Sequence, residues 1–467
     1  MDREKSLAKN TAIIAFGTLL PKFSSIITLP IITSGLTKSE YGTYDLITTL
    51  VSLFLPIVTF QIQSAAFRFL IDRRGDEEKS NAIITNIFAF IVPVSLVSLL
   101  ILFFALNSID MGLRCLICIY FFVDILLLAC QQIIRGLSNN KLYSFSSVIQ
   151  SVTNMLLIVV TVLFFNKGLL GVLTAITGAT VIALLFILIK EKIIERIHLR
   201  LLSKKLLLEL LGYSWPMIPN SLSNWVLSVS DRTVVTAFLG IEANAVYAAA
   251  NIIPSLFSTV QGTFVYAWQE NASIVSKDED VAEYYSKMFD SILRILVGIM
   301  AMLIAVAPVL FKFLIRGDYA KAYYQMPILF LGMLFSALAS FMGGIYVAHK
   351  KTKSVGFTTL CAAVINLSVD LICVNRIGIY AASISTLTSY FVLTIYRMID
   401  VKRFQEIHYN PISITYMLLS LGLMCVLCWV NTLACSLVNL VIGILIMAVF
   451  NRQIIVGLLK NVKKIIF

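Results

Sequence analysis

The chain has 467 residues, of which 59% are hydrophobic and only 13% charged, and its mean hydropathy is +0.91. Apolar runs of about 20 residues recur along it, each long enough to cross a bilayer as a helix, so the composition excludes a soluble enzyme and predicts an all-α polytopic membrane protein. The net charge of +12 does not call for nucleic acid, because the basic residues sit in short loops between apolar spans, where membrane topology accounts for them.

In chain order, the charged start MDREKSLAKN leads into a full-length apolar run without a small-residue cleavage site, which reads as a retained first helix. The first six spans are expected at Thr11–Ser34, Thr43–Phe67, Ala82–Leu106, Met111–Ile134, Ser144–Phe165 and Leu169–Ile189. A basic connection, KEKIIERIHLRLLSKK, follows at 190–205 and forms the natural hinge between two halves. Beyond it the expected spans are Leu206–Leu239, with an approach segment, then Ala245–Ala267, Ile292–Ile315, Gln325–Ala348, Ser354–Val374, Tyr380–Tyr396, Ile412–Val430 and Leu433–Phe450. The acidic loop Ser276–Asp290 reads as a surface helix. These elements group as a lobe over 1–189, the linker 190–205, a lobe over 206–403 and a C-terminal helix pair with a basic tail over 404–467. The last pair is the one that a loose hairpin after twelve spans would imitate.

The two halves repeat each other. Prolines fall in the first, second and third spans of both: Pro21 and Pro30, Pro56, and Pro93 against Pro216 and Pro219, Pro254, and Pro308. Tyr44 with Ser52-Leu53-Phe54 aligns at constant offset with Tyr247 and Ser255-Leu256-Phe257. Such internal repetition marks a transporter built from two bundles around a central site, and an even number of spans per half makes the repeats parallel, related by a pseudo-two-fold axis along the membrane normal.

Polar stripes show which helices face a cavity. The first span carries Thr18, Lys22, Ser25 and Thr28 near one face, with Pro21 beside them and Lys22 near mid-membrane. The second carries Asp45, Thr48, Ser52, Thr59 and Gln63, with Arg68 towards one end, and its counterpart carries Asn244, Tyr247, Asn251, Ser255, Ser258 and Gln261. Asp124, Gln131 and Arg135 share a face of the fourth span, and Asn366 and Asp370 share one on the eleventh. Ser and Thr on such stripes equally serve ordinary packing between helices.

The seventh span is the most polar. In LLGYSWPMIPNSLSNWVLSVSDRTVVTAFLG, Asn220, Asn224, Ser228 and Asp231 follow at helical spacing, with Trp225 and Arg232 on the neighbouring stripe. Ionisable residues at bilayer depth are costly, so Asp231 and Arg232 are expected to face protein or a cavity, although a snorkelling pair at a helix end is the plainer alternative. Pro216 and Pro219 remove backbone hydrogen bonds near the start, so this helix can bend. This stretch, P-x-x-P-N-S-L-S-x-W followed by S-D-R and a short apolar run to L-G, resembles the seventh helix of polysaccharide (O-antigen-type) flippases of the multidrug/oligosaccharidyl-lipid/polysaccharide exporter superfamily, and the similarity extends along the whole chain from KNTAIIAFGTLLPKF onward.

The resemblance implies alternating access between two six-helix lobes, export of a polyprenyl-diphosphate-linked oligosaccharide across a bacterial inner membrane, and coupling to proton or sodium entry. Phosphate calls for cations, which Lys22, Arg68 and Arg232 supply, and sugar hydroxyls call for amides and aromatics, which Asn220, Asn224, Trp225, Tyr247, Asn251 and Gln261 supply. Asp231, Asp124 and Asp370 are candidates for the coupling ion, and Pro21, Pro216 and Pro219 for gating. The expected partners are the lipid-linked substrate, membrane lipids and polysaccharide assembly proteins, with no nucleic acid. A multidrug exporter of the same superfamily is the alternative, against which Lys22 counts because cationic drugs prefer a carboxylate there. An integral-membrane glycosyltransferase or polymerase is a weaker one, because no large loop is present.

No enzyme, cofactor or metal is expected. All eight cysteines lie in apolar spans, Cys115-x-x-Cys118 and Cys425-x-x-Cys428 lack flanking His or acid ligands, and there is no G-x-x-x-x-G-K-[ST] loop. Most Lys and Arg fall on one face if both termini are cytoplasmic. Cysteines replacing Lys38, Lys167 or Glu242 should therefore react with an impermeant thiol reagent from outside the cell, whereas those replacing Arg74, Lys204 or Lys351 should not; external labelling at Lys204 would overturn the map.

Overall fold

A computed structural model describes residues 21–452 except 22, 74 and 277. Among the described residues the chain is helical without strands, and ten helices are long and apolar enough to cross a membrane. The protein is a multi-pass helical membrane protein. It divides into two compact units, 1–225 and 226–467, and the boundary falls inside a helix.

In the first unit the helices are α1 (Phe23–Gly35), α2 (Lys38–Val58), α3 (Ile62–Asp72), α4 (Glu77–Ala105), α5 (Met111–Gly136), α6 (Asn140–Ile158), α7 (Gly168–Lys190), α8 (Lys204–Ser214) and the start of α9 (Ile218–Leu239). Their starts follow the capping rules. Thr37 accepts a hydrogen bond from the Glu40 N–H at 3.2 Å while its own N–H donates to Glu40 Oε2 at 2.9 Å, a reciprocal capping box that opens α2. Ile62, Ala65, Ala66 and Leu70 of α3 pack with Ile83, Ile84 and Ile87 of α4 and Ala129, Cys130, Ile133 and Ile134 of α5 in a fully apolar core.

The expected second span, Thr43–Phe67, is not one helix. It breaks after Val58, just beyond Pro56, and resumes at Ile62. Phe60 and Gln61 both adopt positive φ, 50° and 55°, a conformation that costs a non-glycine residue about 1–2 kcal/mol. Polar groups stabilise the break. Thr59 Oγ1 accepts from Gln61 N–H at 3.3 Å, Gln61 Nε2 donates to Ser221 Oγ at 2.8 Å, and Ser64 Oγ and Gln63 Nε2 donate to Gln61 Oε1 at 3.1 and 3.2 Å.

The linker 190–205 forms two short 3₁₀ turns, Ile193–Arg196 and Leu199–Leu201, and α4 holds its backbone. His198 N–H donates to Thr85 Oγ1 at 3.0 Å, Ser203 N–H donates to Asn86 Oδ1 at 2.9 Å, and Asn86 Nδ2 donates to Leu201 C=O at 3.0 Å.

The second unit contains the rest of α9 with α10 (Ile241–Val275), α11 (Val281–Leu314), α12 (Ala320–Ala348), α13 (Thr352–Ile377), α14 (Tyr380–Val401), α15 (Pro411–Val430) and α16 (Leu433–Phe450). The acidic stretch 281–290 is the opening of α11 rather than a separate surface helix, because the helix runs on from Val281 into the apolar span without a break before Leu314. A tenth-span proline, Pro327 in α12, has no counterpart in the first half, so the proline repeat is not strict. α12 is the most enclosed of the candidate spans. The Trp268 ring of α10 stacks on Phe341 of α12 with centroids 4.3 Å apart and donates from Nε1 to the Phe341 carbonyl at 2.8 Å. Gly344 makes room for it, since a Cβ there would lie 2.5 Å from the indole.

The C-terminal pair consists of two packed helices, with bounds within one residue of those expected. A Cβ on Gly443 of α16 would lie 3.1 Å from the Ala305 Cβ of α11, and Asn439 Nδ2 donates to Met424 C=O at 3.0 Å between α16 and α15. α9, α10 and α14 are helices at expected spans but fall short of the apolar criterion. They carry many of the polar residues.

The Asn86 clamp yields a test. Asn86→Ala strands a buried N–H and C=O of the linker, which costs about 1–3 kcal/mol. Hydrogen exchange at residues 198–203 should accelerate while α4 and α5 stay protected, and unchanged exchange would mean that packing alone holds the linker.

Candidate functional site

The second unit holds a pair of buried carboxylates. Asp231 on α9 is 2% exposed and Asp370 on α13 is fully buried, and the helical turn that carries Asp370 reaches Asp231 through Asn366. Three elements serve Asp231. Tyr247 Oη of α10 and Thr386 Oγ1 of α14 each donate to Asp231 Oδ2 at 2.7 Å. Asn366, one turn before Asp370 on α13, satisfies its amide with the nitrogen turned to Asp231: Nδ2 then donates to Oδ1 at 3.1 Å and Oδ1 accepts from Thr386 N–H at 3.3 Å.

Asp370 is treated differently. Among the described residues neither of its oxygens has a hydrogen-bond partner. An ionised carboxylate removed from water and left unpaired costs several kcal/mol, and a second negative charge nearby adds to that. The pair is therefore comfortable only with a proton on one acid or a cation between them. Two carboxylates with two hydroxyls beside them offer the hard oxygens that suit a proton or an alkali cation, whereas no group of three or more His, Cys, Asp or Glu able to hold a metal is found among the described residues.

The remaining expected residues are spread over both units. Arg232 is half-buried on α9, next to Asp231, which feels its charge. Tyr247, expected to line a sugar site, has its hydroxyl on Asp231. Asn251 is buried on α10 and Gln261 is half-buried two to three turns later. In the first unit Asn220 and Asn224 are exposed on α9, and Trp225 donates from Nε1 to Ser52 Oγ of α2 at 3.0 Å and towards Thr49 C=O at 3.3 Å. Arg68 is exposed and ion-paired with Asp72 one turn on. Asp124 is half-buried on α5. Pro216 lies in a 3₁₀ turn that precedes α9, Pro219 is the second residue of α9, and Pro21 is helical. Lys22 lies outside the described residues.

Two residues escaped the sequence reading. Thr386 sits in the SISTLTS run of α14, where Ser383, Ser385, Thr386 and Ser389 are all buried; that run in an apolar span was the available signal. Arg397, also on α14, is 4% exposed and donates to Thr358 Oγ1, Thr359 Oγ1 and the carbonyls of Ala339 and Val355 at 2.8–3.2 Å.

A family model described as "Polysaccharide biosynthesis protein" matches residues 7–269. The chain belongs to this family. No curated protein sequence matches it. Among solved structures it is similar to the lipid II flippase MurJ in an inward closed conformation, with a TM-score of 0.70 and 14% identity over 96% of this chain and 100% of that one. It is similar also to a multidrug resistance MATE family transporter of the MOP superfamily in an inward-facing conformation, with a TM-score of 0.68 and 14% identity over 81% and 95% of the two chains. A MOP superfamily transporter from Pyrococcus furiosus gives a TM-score of 0.60 at 14% identity, over 85% and 96%. At these identities the likeness establishes a shared transporter fold.

The two acids should respond differently to mutation. Asp231→Ala takes the acceptor from the Tyr247 hydroxyl and the Asn366 amide, while Thr386 keeps the Ala382 carbonyl at 3.0 Å, and should destabilise the protein by about 2–4 kcal/mol. Asp370→Asn removes an unpaired buried charge and should be neutral within about 1 kcal/mol or stabilising. Thermal-shift measurements on the two purified variants decide it, and equal losses would refute the asymmetry.

Proposed function

We propose that this protein moves a polyprenyl-diphosphate-linked oligosaccharide across the bacterial inner membrane by alternating access, driven by a proton or sodium ion bound at Asp231 and Asp370. The bare carboxylate of Asp370 beside the fully served carboxylate of Asp231 carries the coupling part of this reading. Binding of a cation at the pair removes the electrostatic penalty and gives α9, α13 and α14 a reason to pack differently in loaded and unloaded states, which is the differential interaction any coupled transporter requires. Membership in a polysaccharide biosynthesis family and the exposed amides of Asn220 and Asn224 support this substrate class. Arg232 and Lys22 are the cations assigned to the diphosphate, and Arg68 is the weaker third because Asp72 already holds it.

Efflux of cationic amphiphiles is a second reading, favoured by one observation: an unpaired buried acid also attracts an organic cation. Deletion of the gene separates the two. Loss of surface polysaccharide with accumulation of an intact lipid-linked intermediate supports the flippase; normal polysaccharide with drug hypersensitivity supports efflux. Within the flippase reading, Arg232→Gln and Lys22→Gln should each reduce export at least about tenfold at unchanged membrane abundance, whereas Lys22→Arg keeps partial function. Normal export in Lys22→Gln would sink the cationic substrate site.

A further inference from the structure

The linker between α7 and α8 has a face that the transport reading does not use. Ile193 and Leu210 are buried in the core of the first unit, with Ile197, Leu206, Leu207 and Leu211 packed behind them. On the other side Ile194 is 67% exposed, Leu199 78% and Leu208 59%, a high exposure for large aliphatic side chains on backbone that α4 holds in place. Cations alternate with them. Lys190, Lys192, Arg200, Lys204 and Lys205 are all exposed.

The acids on the same segment are already engaged. Glu191 pairs with Arg196 at 3.1 Å and accepts from Asn139 Nδ2 at 3.0 Å, and Glu195 pairs with Lys192 at 3.3 Å. On α3 Asp72 is paired with Arg68, and at the cap of α4 Asp76 is paired with Lys79, while Glu77 and Glu78 are exposed in the first turn of α4. Lys190, Arg200, Lys204 and Lys205 have no ion pair among the described residues, and Glu209 is the nearest acid along α8.

Two independent features set the depth of this face. The apolar span α7 ends at Lys190, so the linker starts where the hydrocarbon stops. At its far end Tyr213 is 43% exposed and Trp215 57%, the aromatic pair that favours the headgroup level. Aliphatic side chains pointing outward between unpaired cations, bounded by a span on one side and Tyr and Trp on the other, make an interfacial surface.

We propose that residues 190–208 form a binding surface for anionic phospholipid headgroups, with Ile194, Leu199 and Leu208 entering the acyl boundary and Lys190, Arg200, Lys204 and Lys205 holding the phosphates. The surface anchors the first unit in the membrane plane. It requires that α7 spans the bilayer and is independent of what the protein transports.

The test uses the full-length protein in nanodiscs of synthetic phosphatidylcholine, with or without about 30% phosphatidylglycerol, and no polyprenyl lipid. Hydrogen exchange at residues 192–202 should slow at least about threefold with phosphatidylglycerol, and the slowing should vanish at high salt. The quadruple variant Lys190→Gln, Arg200→Gln, Lys204→Gln, Lys205→Gln should lose the effect, whereas Lys350→Gln, Lys351→Gln, Lys353→Gln should retain it. Should the quadruple variant misfold, salt reversal in the unmodified protein decides alone. Equal exchange in both lipids overturns the proposal, as does slowing that appears only when a polyprenyl diphosphate is added, which would assign the cations to the substrate instead.

Discussion

One constraint governs the buried polar groups of the membrane-spanning helices: at bilayer depth there is no water to satisfy a backbone or side-chain group, so a group left without a partner inside the fold is costly. The break between α2 and α3 meets it with side chains. Two consecutive residues leave the helical region at Phe60 and Gln61, and the groups released are met by Thr59 and by a small network of Gln61, Gln63, Ser64 and Ser221. Asp231 meets it with three donors from three helices, so that α10, α13 and α14 are tied to α9 through a single carboxylate.

That constraint also explains what the sequence disclosed and what it hid. The apolar runs fixed α15 and α16 almost to the residue, because a span needs only length and hydrophobicity to be recognised. Asp231, Asn366 and Asp370 stood out because ionisable and amide residues are rare in such runs. Their grouping was half legible: helical spacing put Asn366 and Asp370 on one face, but nothing local linked that face to Tyr247 or Thr386. A threonine in a membrane helix usually returns its hydroxyl to its own backbone, as Thr177 does to Leu173 at 2.7 Å, so Thr386 gave no individual signal. The helix break was invisible for a different reason. Neither Phe60 nor Gln61 is a residue that favours positive φ, and only the tertiary network around Gln61 sustains the turn.

Polarity also sets three helices apart from the rest. α9, α10 and α14 miss the apolar criterion for a span although their lengths suffice, and they supply Asp231, Tyr247 and Thr386. Low hydropathy in an expected span was therefore a pointer to the site, since a helix can carry such groups through a membrane only where other helices cover them.

Arg397 and Asp370 show why the sign of a buried charge matters in a helical bundle. A guanidinium has five donors, and helices offer acceptors freely, because each carbonyl keeps a second lone pair after its intrahelical bond. Arg397 exploits this, resting on two carbonyls and two threonine hydroxyls without a carboxylate. A carboxylate needs donors, and every N–H within a helix is already committed. Only side chains remain, and Tyr247, Thr386 and Asn366 are spent on Asp231. Asp370, whose oxygens have no hydrogen-bond partner among the described residues, is relieved in such a bundle by a proton or a cation brought from outside. A buried arginine with neutral partners is thus a structural member, whereas a buried acid without donors is left with a need that only a proton or cation meets, and that asymmetry is why ion coupling is proposed on α9 and α13.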